Sequence, residues 1–277
     1  MIDKLRAAYP RIVGITKSAN NTSSADQSFA IEVRDATLQY PLGPIVKGSL
    51  KSLIFAAFGH REKVPRPKFV DAIQNLSISI AHGERVALIG RNGSGKSTLL
   101  RSLAGIYPLK SGDIRVSGQI GTLLDISLGF EPESTGRENI YYRGMAMGYS
   151  PKQLKEVEQE IVDFAQLGEF IDLPVRTYSA GMYVRLGFAI STAFSPDILL
   201  VDEVFGAGDL DFSHRAIARM RAIVDRSGIM VMATHDMPLA MNTCTRVIWL
   251  SRGKVLEDGP PQKVVPLYLQ YTGDSQS

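Results

Sequence analysis

The sequence predicts an α/β fold with a mostly parallel sheet covered by helices. Three observations carry that expectation. First, RVALIG at 85–90, DILLV at 197–201 and IMVMA at 229–233 are short, apolar throughout and of buried-strand type. Second, helical spacing appears between such runs, as in Leu154, Val157, Ile161, Phe164 and Ala165 with Lys and Glu between them. Alternation of this kind marks a parallel sheet whose crossovers are helices. Third, the 277 residues are 44% apolar and 21% charged, enough apolar side chain for a sizeable core and incompatible with wholesale disorder.

The elements follow in order. Residues 1–28 include the small polar run KSANNTSSADQS and read as a flexible tail. A strand begins near Phe29, at FAIEV. Leu76, Ile78 and Ile80 alternate with Asn75, Ser77 and Ser79, a half-buried strand by period two. After a His82-Gly83-Glu84 turn, RVALIG runs directly into a glycine loop and an apolar helix at 96–104. Ser150-Pro151 opens the amphipathic helix that carries Leu154. TRVIWL and KVLE close the sheet around a Ser251-Arg252-Gly253 turn. The folded domain is expected over 29–260, with a short helix and tail over 261–277. No internal repeat is visible, which removes solenoids and duplicated cassettes.

Residues 41–68 are the irregular piece. From 47 to 68 there are six Lys and Arg against one Glu, in a chain whose formal charge is only +3, so everything else is slightly acidic in sum. Leu50, Leu53, Ile54, Ala57 and Phe58 add a short apolar stripe at helical spacing. A solvated surface hairpin and an amphipathic element facing a membrane surface or its proteins both fit. The near-balanced total charge argues against a protein that grips nucleic acid. A single cysteine, Cys244, excludes a disulfide framework and any multi-cysteine zinc site. No apolar run approaches the roughly 20 residues that span a bilayer, and the N-terminus lacks a signal-peptide core. A soluble, cytosolic chain is the expected class.

Three elements carry chemistry. Gly90-Arg91-Asn92-Gly93-Ser94-Gly95-Lys96-Ser97 fits the phosphate-loop pattern, in which glycines turn backbone N–H groups onto phosphates at a helix N-terminus. Lys96 would reach the β- and γ-phosphates, and Ser97 would offer its hydroxyl to Mg²⁺. Asp202 and Glu203 end the second buried strand. Adjacent carboxylates there are costly without a compensating cation or proton, so Asp202 is read as a metal residue and Glu203 as the group that polarises water. His235, just after the third buried strand, is placed to meet a γ-phosphate.

With these elements in this order the chain resembles the ATP-binding-cassette ATPases. The segment Tyr178-Ser179-Ala180-Gly181-Met182, 20 residues before Ile198, is similar to that family's LSGGQ signature in Ser179 and Gly181 and differs at the other three positions. The resemblance implies a phosphate-loop core with an antiparallel β-subdomain and a helical subdomain inserted at about 127–180. It implies ATP and Mg²⁺ as ligands, with Gly90, Asn92, Gly93, Ser94, Gly95, Lys96, Ser97 and Thr98 around the nucleotide and Tyr40 stacked on adenine. It also implies a homodimer in which Ser179, Ala180 and Gly181 meet the other chain's ATP, with Asp209 in the loop linking the two sites. The family's glutamine between the subdomains is absent, and Asp125 is the nearest residue that could serve in its place at the metal.

The stretches Gly129-Phe130-Glu131-Pro132 and Thr135-Gly136-Arg137-Glu138-Asn139-Ile140, with YSAGM and the basic insertion, are similar to bacterial polysaccharide exporters. That branch implies a permease partner, a lipid-linked O-antigen-like polysaccharide handled by the complex, and a place on the cytoplasmic face of the inner membrane. Some members carry a C-terminal glycan-binding β-sandwich, which a chain ending at Ser277 is not expected to contain. The alternatives are an importer ATPase, a capsule or teichoic-acid exporter, and a soluble cassette ATPase of DNA repair or translation. A phosphate-loop kinase or GTPase would leave YSAGM and His235 unexplained.

Overall fold

A computed structural model describes residues 29–42, 68–124, 129–202 and 210–274. Two sheets form. Strands β1 (Phe29–Leu42), β2 (Lys68–Ala81) and β4 (Ser111–Val116) make a small antiparallel sheet in the order β2-β1-β4. Strands β3 (Arg85–Ile89), β5 (Ile120–Leu123), β6 (Ile198–Asp202), β7 (Ile229–Ala233), β8 (Arg246–Ser251) and β9 (Lys254–Gly259) make the larger sheet, ordered β5-β6-β7-β3-β8-β9. It is parallel except for β9, which returns antiparallel beside β8.

The apolar runs are continuous because both faces of the large sheet are covered. Val86 and Leu88 of β3 point into one core with Ile198, Leu200, Val231 and Ile248, under the small sheet and helix α1 (Lys96–Leu103). Ala87 and Ile89 point the other way. They join Leu199, Val201, Met230, Met232 and Val247 beneath α5 (Leu210–Arg226), α6 (Met237–Thr243) and α7 (Pro261–Asp274). Each fully buried Leu or Ile on either face contributes roughly 1.5–3 kcal/mol of transfer free energy.

β1 and β2 run well past the expected short strands, and they pair as far as Leu42 with Lys68. The two ends of the basic insertion are thus hydrogen-bonded neighbours; residues 43–67 themselves lie outside the described residues. Arg246 ties the sheets together. Its guanidinium makes a bidentate pair with Asp258 at 2.7 Å for both bonds and donates to the Ser79 carbonyl at 2.9 Å.

The helical subdomain comprises α2 (Gly136–Ala146), α3 (Pro151–Ala165), two 3₁₀ turns and α4 (Ala180–Ser191). Capping boxes open α2 (Thr135 with Glu138) and α3 (Ser150 with Gln153), satisfying otherwise orphaned N–H groups. Ile140, Ile161, Leu186 and Ala189 share its core, so the unit reaches Ser191, beyond the expected limit near 180. Fully buried Asn139 organises its entry: its amide nitrogen donates to the Glu131 and Thr135 carbonyls at 3.0 and 2.8 Å, and its oxygen accepts from Glu131 N at 2.7 Å. Arg219 of α5 joins this unit to the sheet. It donates to the Thr192 carbonyl at 3.0 Å and to Glu160 at 2.7 Å while lying 4.4 Å over the Phe164 ring.

Glu158 is the electrostatic centre of the helical subdomain. Tyr141 donates to it at 2.5 Å, Arg137 at 2.8 Å and Lys155 at 2.9 Å, and Arg137 also grips Asp172. The Tyr141 hydrogen bond first, then those from Lys155 and Arg137, lower the Glu158 carboxyl from its ordinary 4.5 to about 2. The folded state therefore binds this proton more weakly than the unfolded chain does. The resulting stability is complete above the unfolded value and is lost as pH falls from about 4.5 toward 2. Glu158→Gln should cost about 1–3 kcal/mol in urea unfolding at pH 7. The gap from wild type should shrink by pH 3; an undiminished gap there would remove the network from the account.

Candidate functional site

The site is built at the carboxyl edge of the parallel strands, where α/β sheets bind ligands. β3 ends at Ile89 and α1 begins at Lys96, so residues 90–95 must turn tightly between them. Two glycines are sterically required. Gly95 has φ +108°, and a Cβ there would lie 2.7 Å from the Ala72 carbonyl oxygen; at Gly90, with φ +144°, a Cβ would strike the Leu250 carbonyl. The loop is held from behind by the β8–β9 turn. Gly253 N donates to the Ser94 carbonyl at 2.9 Å, and the Gly253 carbonyl accepts from Gln74 N at 2.9 Å.

Inside this loop Lys96 is almost fully buried, its ammonium donating to the carbonyls of Gly90 at 2.8 Å and Arg91 at 3.4 Å. The Ser94 hydroxyl is buried without a hydrogen-bond partner among the described residues. A buried cation, an unsatisfied hydroxyl and the N–H groups that open α1 form a cradle whose costs are relieved by a polyanion. Thr98 follows on the first turn of α1, while Asn92 and Gly93 are exposed on the outer side of the loop.

Strand register supplies the rest. Asp202 pairs with Ala233 across β6 and β7, Leu88 pairs with Ala233 across β3 and β7, and Thr234 N donates to the Leu88 carbonyl at 3.2 Å. The phosphate loop, Asp202 and His235 thus leave three adjacent strands at one edge. Ser97 Oγ donates to Asp202 Oδ1 at 3.1 Å. A hydroxyl and a carboxylate presented together form an all-oxygen pair of the kind Mg²⁺ takes. His235 is exposed on the bend before α6, whose N-cap Asp236 accepts from Leu239 N at 2.8 Å.

β1 brings Tyr40 beside the same helix. Its hydroxyl lies 3.4 Å from Thr98 Oγ1, its ring meets Tyr107 edge-on at 5.5 Å, and burial raises its pKa. Ser179 is the N-cap of α4 and accepts from Met182 N at 3.3 Å; Ala180 is exposed, and a Cβ at Gly181 would meet only Ser179 Oγ, at 3.9 Å. Tyr178 is buried, donates to the Phe170 carbonyl at 2.7 Å, and has its pKa pushed up to about 12 by that burial. It anchors the signature segment to the helical core.

Glu203, Asp209 and Asp125 lie outside the described residues. The residues that the sequence did not reveal are those behind the loop: Ala72, Gln74, Leu250 and Gly253. Only the positive φ of Arg252 and Gly253, +47° and +77°, belongs to a turn signal, and that signal says nothing of what the turn touches. The Thr135–Glu138 capping box was in the sequence to be read as the start of α2.

Among known proteins, the profile of the ABC transporter family matches residues 73–206. An O-antigen export system ATP-binding protein of Klebsiella pneumoniae is 37% identical over 240 residues, 87% of this chain and 97% of that one. One from Yersinia enterocolitica is 41% identical over 228 residues, covering 81% and 95%. A third, from Myxococcus xanthus, is 42% identical over 199 residues, and there the match spans only 46% of the relative's length. A dimeric ATP-binding cassette in a post-hydrolysis state with ADP and phosphate shares the fold, with a TM-score of 0.62 at 20% identity over 83% of this chain and 98% of that one. Among the described residues no helix is long and apolar enough to cross a membrane. The phosphate loop, the strand-end aspartate hydrogen-bonded to it and these relatives together place the chain in the ABC transporter family, as one of its ATP-hydrolysing cassettes.

Proposed function

We propose that the chain is the ATPase subunit of a bacterial exporter for a lipid-linked polysaccharide of the O-antigen kind, bound to a permease at the cytoplasmic face of the inner membrane. The observation that carries this reading is the similarity to O-antigen export ATP-binding proteins over nearly their whole length. A teichoic acids export ATP-binding protein of Bacillus anthracis, 38% identical over 200 residues that make up 36% of its length, keeps teichoic-acid export as the second reading.

In this reading Lys96 and the amides of residues 90–97 hold the β- and γ-phosphates, and Tyr40 lies against the adenine. Ser97 and Asp202 would hold Mg²⁺, which when bound neutralises charge on the phosphates; Asp125 is the further oxygen donor considered for it. Glu203 accepts a proton from the attacking water while the water oxygen bonds to the γ-phosphorus. The bond to the β–γ bridging oxygen breaks, leaving ADP and phosphate. His235 steadies the γ-phosphate. Ser179, Ala180 and Gly181 act on the ATP of a second copy, with Asp209 in the loop that links the two sites.

Two results would test the chemistry. Glu203→Gln keeps size and hydrogen bonding but loses basicity, so it should bind ATP, form a persistent dimer and turn over about a hundredfold more slowly or worse. His235→Ala should impair turnover and spare binding; near-normal rates in Glu203→Gln would move the base elsewhere. Separately, Ser179→Arg should poison the composite sites of a mixed dimer while its own chain still binds ATP through Lys96. Loss of nucleotide binding by the isolated Ser179→Arg monomer would refute action in trans.

The polysaccharide reading is tested through the basic insertion. Lys or Arg near an anionic membrane surface contributes about 1 kcal/mol each. Neutralising Lys47, Lys51, Arg61, Lys63, Arg66 and Lys68 should leave ATP hydrolysis by the isolated subunit unchanged and reduce surface glycan in cells carrying the transporter. Unchanged surface glycan would return the segment to a solvated loop. Loss of both activities would mean that it supports the fold.

A further inference from the structure

The C-terminal helix α7 takes no part in the chemistry described above, yet it packs on the strand beside the phosphate loop. Val264, Val265 and Tyr268 of α7 are buried in the same cluster as Ala87 and Ile89 of β3. Trp249 of β8 stands in register with Ile89, the residue immediately before Gly90. Two rings of α7 meet its indole edge-on, Tyr268 at a centroid distance of 5.5 Å and Tyr271 at 5.1 Å. Such edge-to-face contacts have a preferred geometry, so they fix α7 against the strand as well as burying it. The next residue of β8 is Leu250, whose carbonyl is the wall that forbids a Cβ at Gly90.

The wall reaches the lysine in one more step. The carbonyl of Gly90 itself accepts from the Lys96 ammonium at 2.8 Å.

We infer that α7 positions the phosphate loop, with Tyr268 as a positioning residue that acts on Gly90 and Lys96 through Trp249 and the Leu250 carbonyl. The inference rests on the reading that residues 90–97 hold the nucleotide phosphates. Its physical basis is that a displacement of about 1 Å at a binding group can cost up to a hundredfold. Tyr268 acts through its ring, which packs on Trp249. Tyr268→Phe keeps that ring, whereas Tyr268→Ala removes it.

The test uses the full chain and measures KM and kcat for ATP, ATP affinity by calorimetry, and the thermal midpoint. Leu269→Ala, on the exposed side of α7, is the control and should match wild type throughout. Tyr268→Ala should raise KM roughly tenfold with kcat within about twofold, and Tyr268→Phe, which keeps the ring, should match wild type. Combined with Trp249→Leu, Tyr268→Ala should add little further, because both act along one connection. If Tyr268→Ala does not fold, Tyr271→Ala, which removes the other ring on Trp249, decides instead, a raised KM supporting the inference and a wild-type KM overturning it. A fall in thermal midpoint with wild-type KM would make α7 merely structural and overturn the inference, as would strict additivity in the cycle. Lys96→Ala separates the two levels. ATP binding retained by that variant overturns the loop reading and the inference with it. Binding abolished there, with KM unmoved in Tyr268→Ala, overturns the inference alone.

Discussion

The parallel register of β6, β7 and β3 is the constraint on which the site depends. Ala233 is the common partner of Asp202 and Leu88, so a single residue of β7 sets how far the acidic strand and the loop strand each project. Side chains alternate along a strand, and a slip of one residue would exchange its two faces. In this sheet a slip would also move Asp202 out of reach of Ser97 Oγ, now at 3.1 Å. The two apolar cores prevent it. Leu199 and Val201 are committed to one and Ile198 and Leu200 to the other, so no alternative register buries both sets.

The phosphate loop adds a requirement that parallel strands alone cannot meet, since it needs a rigid wall on its far side. The antiparallel return of β9 provides one. Gly253, at the tip of that return, hydrogen-bonds simultaneously to the loop through Ser94 and to the small sheet through Gln74. Arg246 clamps the other end of the same hairpin to Asp258 and Ser79. The small sheet is therefore more than a cover for the core, because it closes the backbone contacts that keep residues 90–95 in shape.

What could be read from the sequence follows from how far each signal extends. RVALIG, ILLVD and IMVMA were legible because strands buried on both faces are apolar at every position, and the chemistry sits at their ends. The second half of β1 was not. Its pairing shifts between Val33 and Ala36, again by Leu38, and once more at Gln39, so no period of two survives to be seen. Asp35 and Asn75 both adopt φ +47° at these irregularities. The wall made by Ala72 and Gly253 was equally hidden, since it joins segments about 180 residues apart in sequence that carry only an ordinary turn signal. Among the site residues, Ser97 with Asp202 was expected and is brought together; the hydroxyl contact between Tyr40 and Thr98 needed the geometry.

The departures of YSAGM from the family's usual signature can be ordered by the same physics. Tyr178 is turned into the helical core and bonded to the Phe170 carbonyl, so its size serves packing and it presents nothing to a phosphate. Met182 is half-buried among the apolar side chains of that core, and an apolar residue suits it. Ser179 is different. It is exposed, and its oxygen accepts the one bond that caps α4. Capping uses the acceptor side of a hydroxyl and leaves the O–H free to donate, beside the N–H groups that open a twelve-residue helix. Gly181, where a Cβ would meet nothing nearer than Ser179 Oγ at 3.9 Å, lets an anion approach that backbone closely. The two positions that match the family are therefore the two whose chemistry points outward, and the three that differ are constrained by the interior of this helical subdomain or, at Ala180, by little beyond helix propensity.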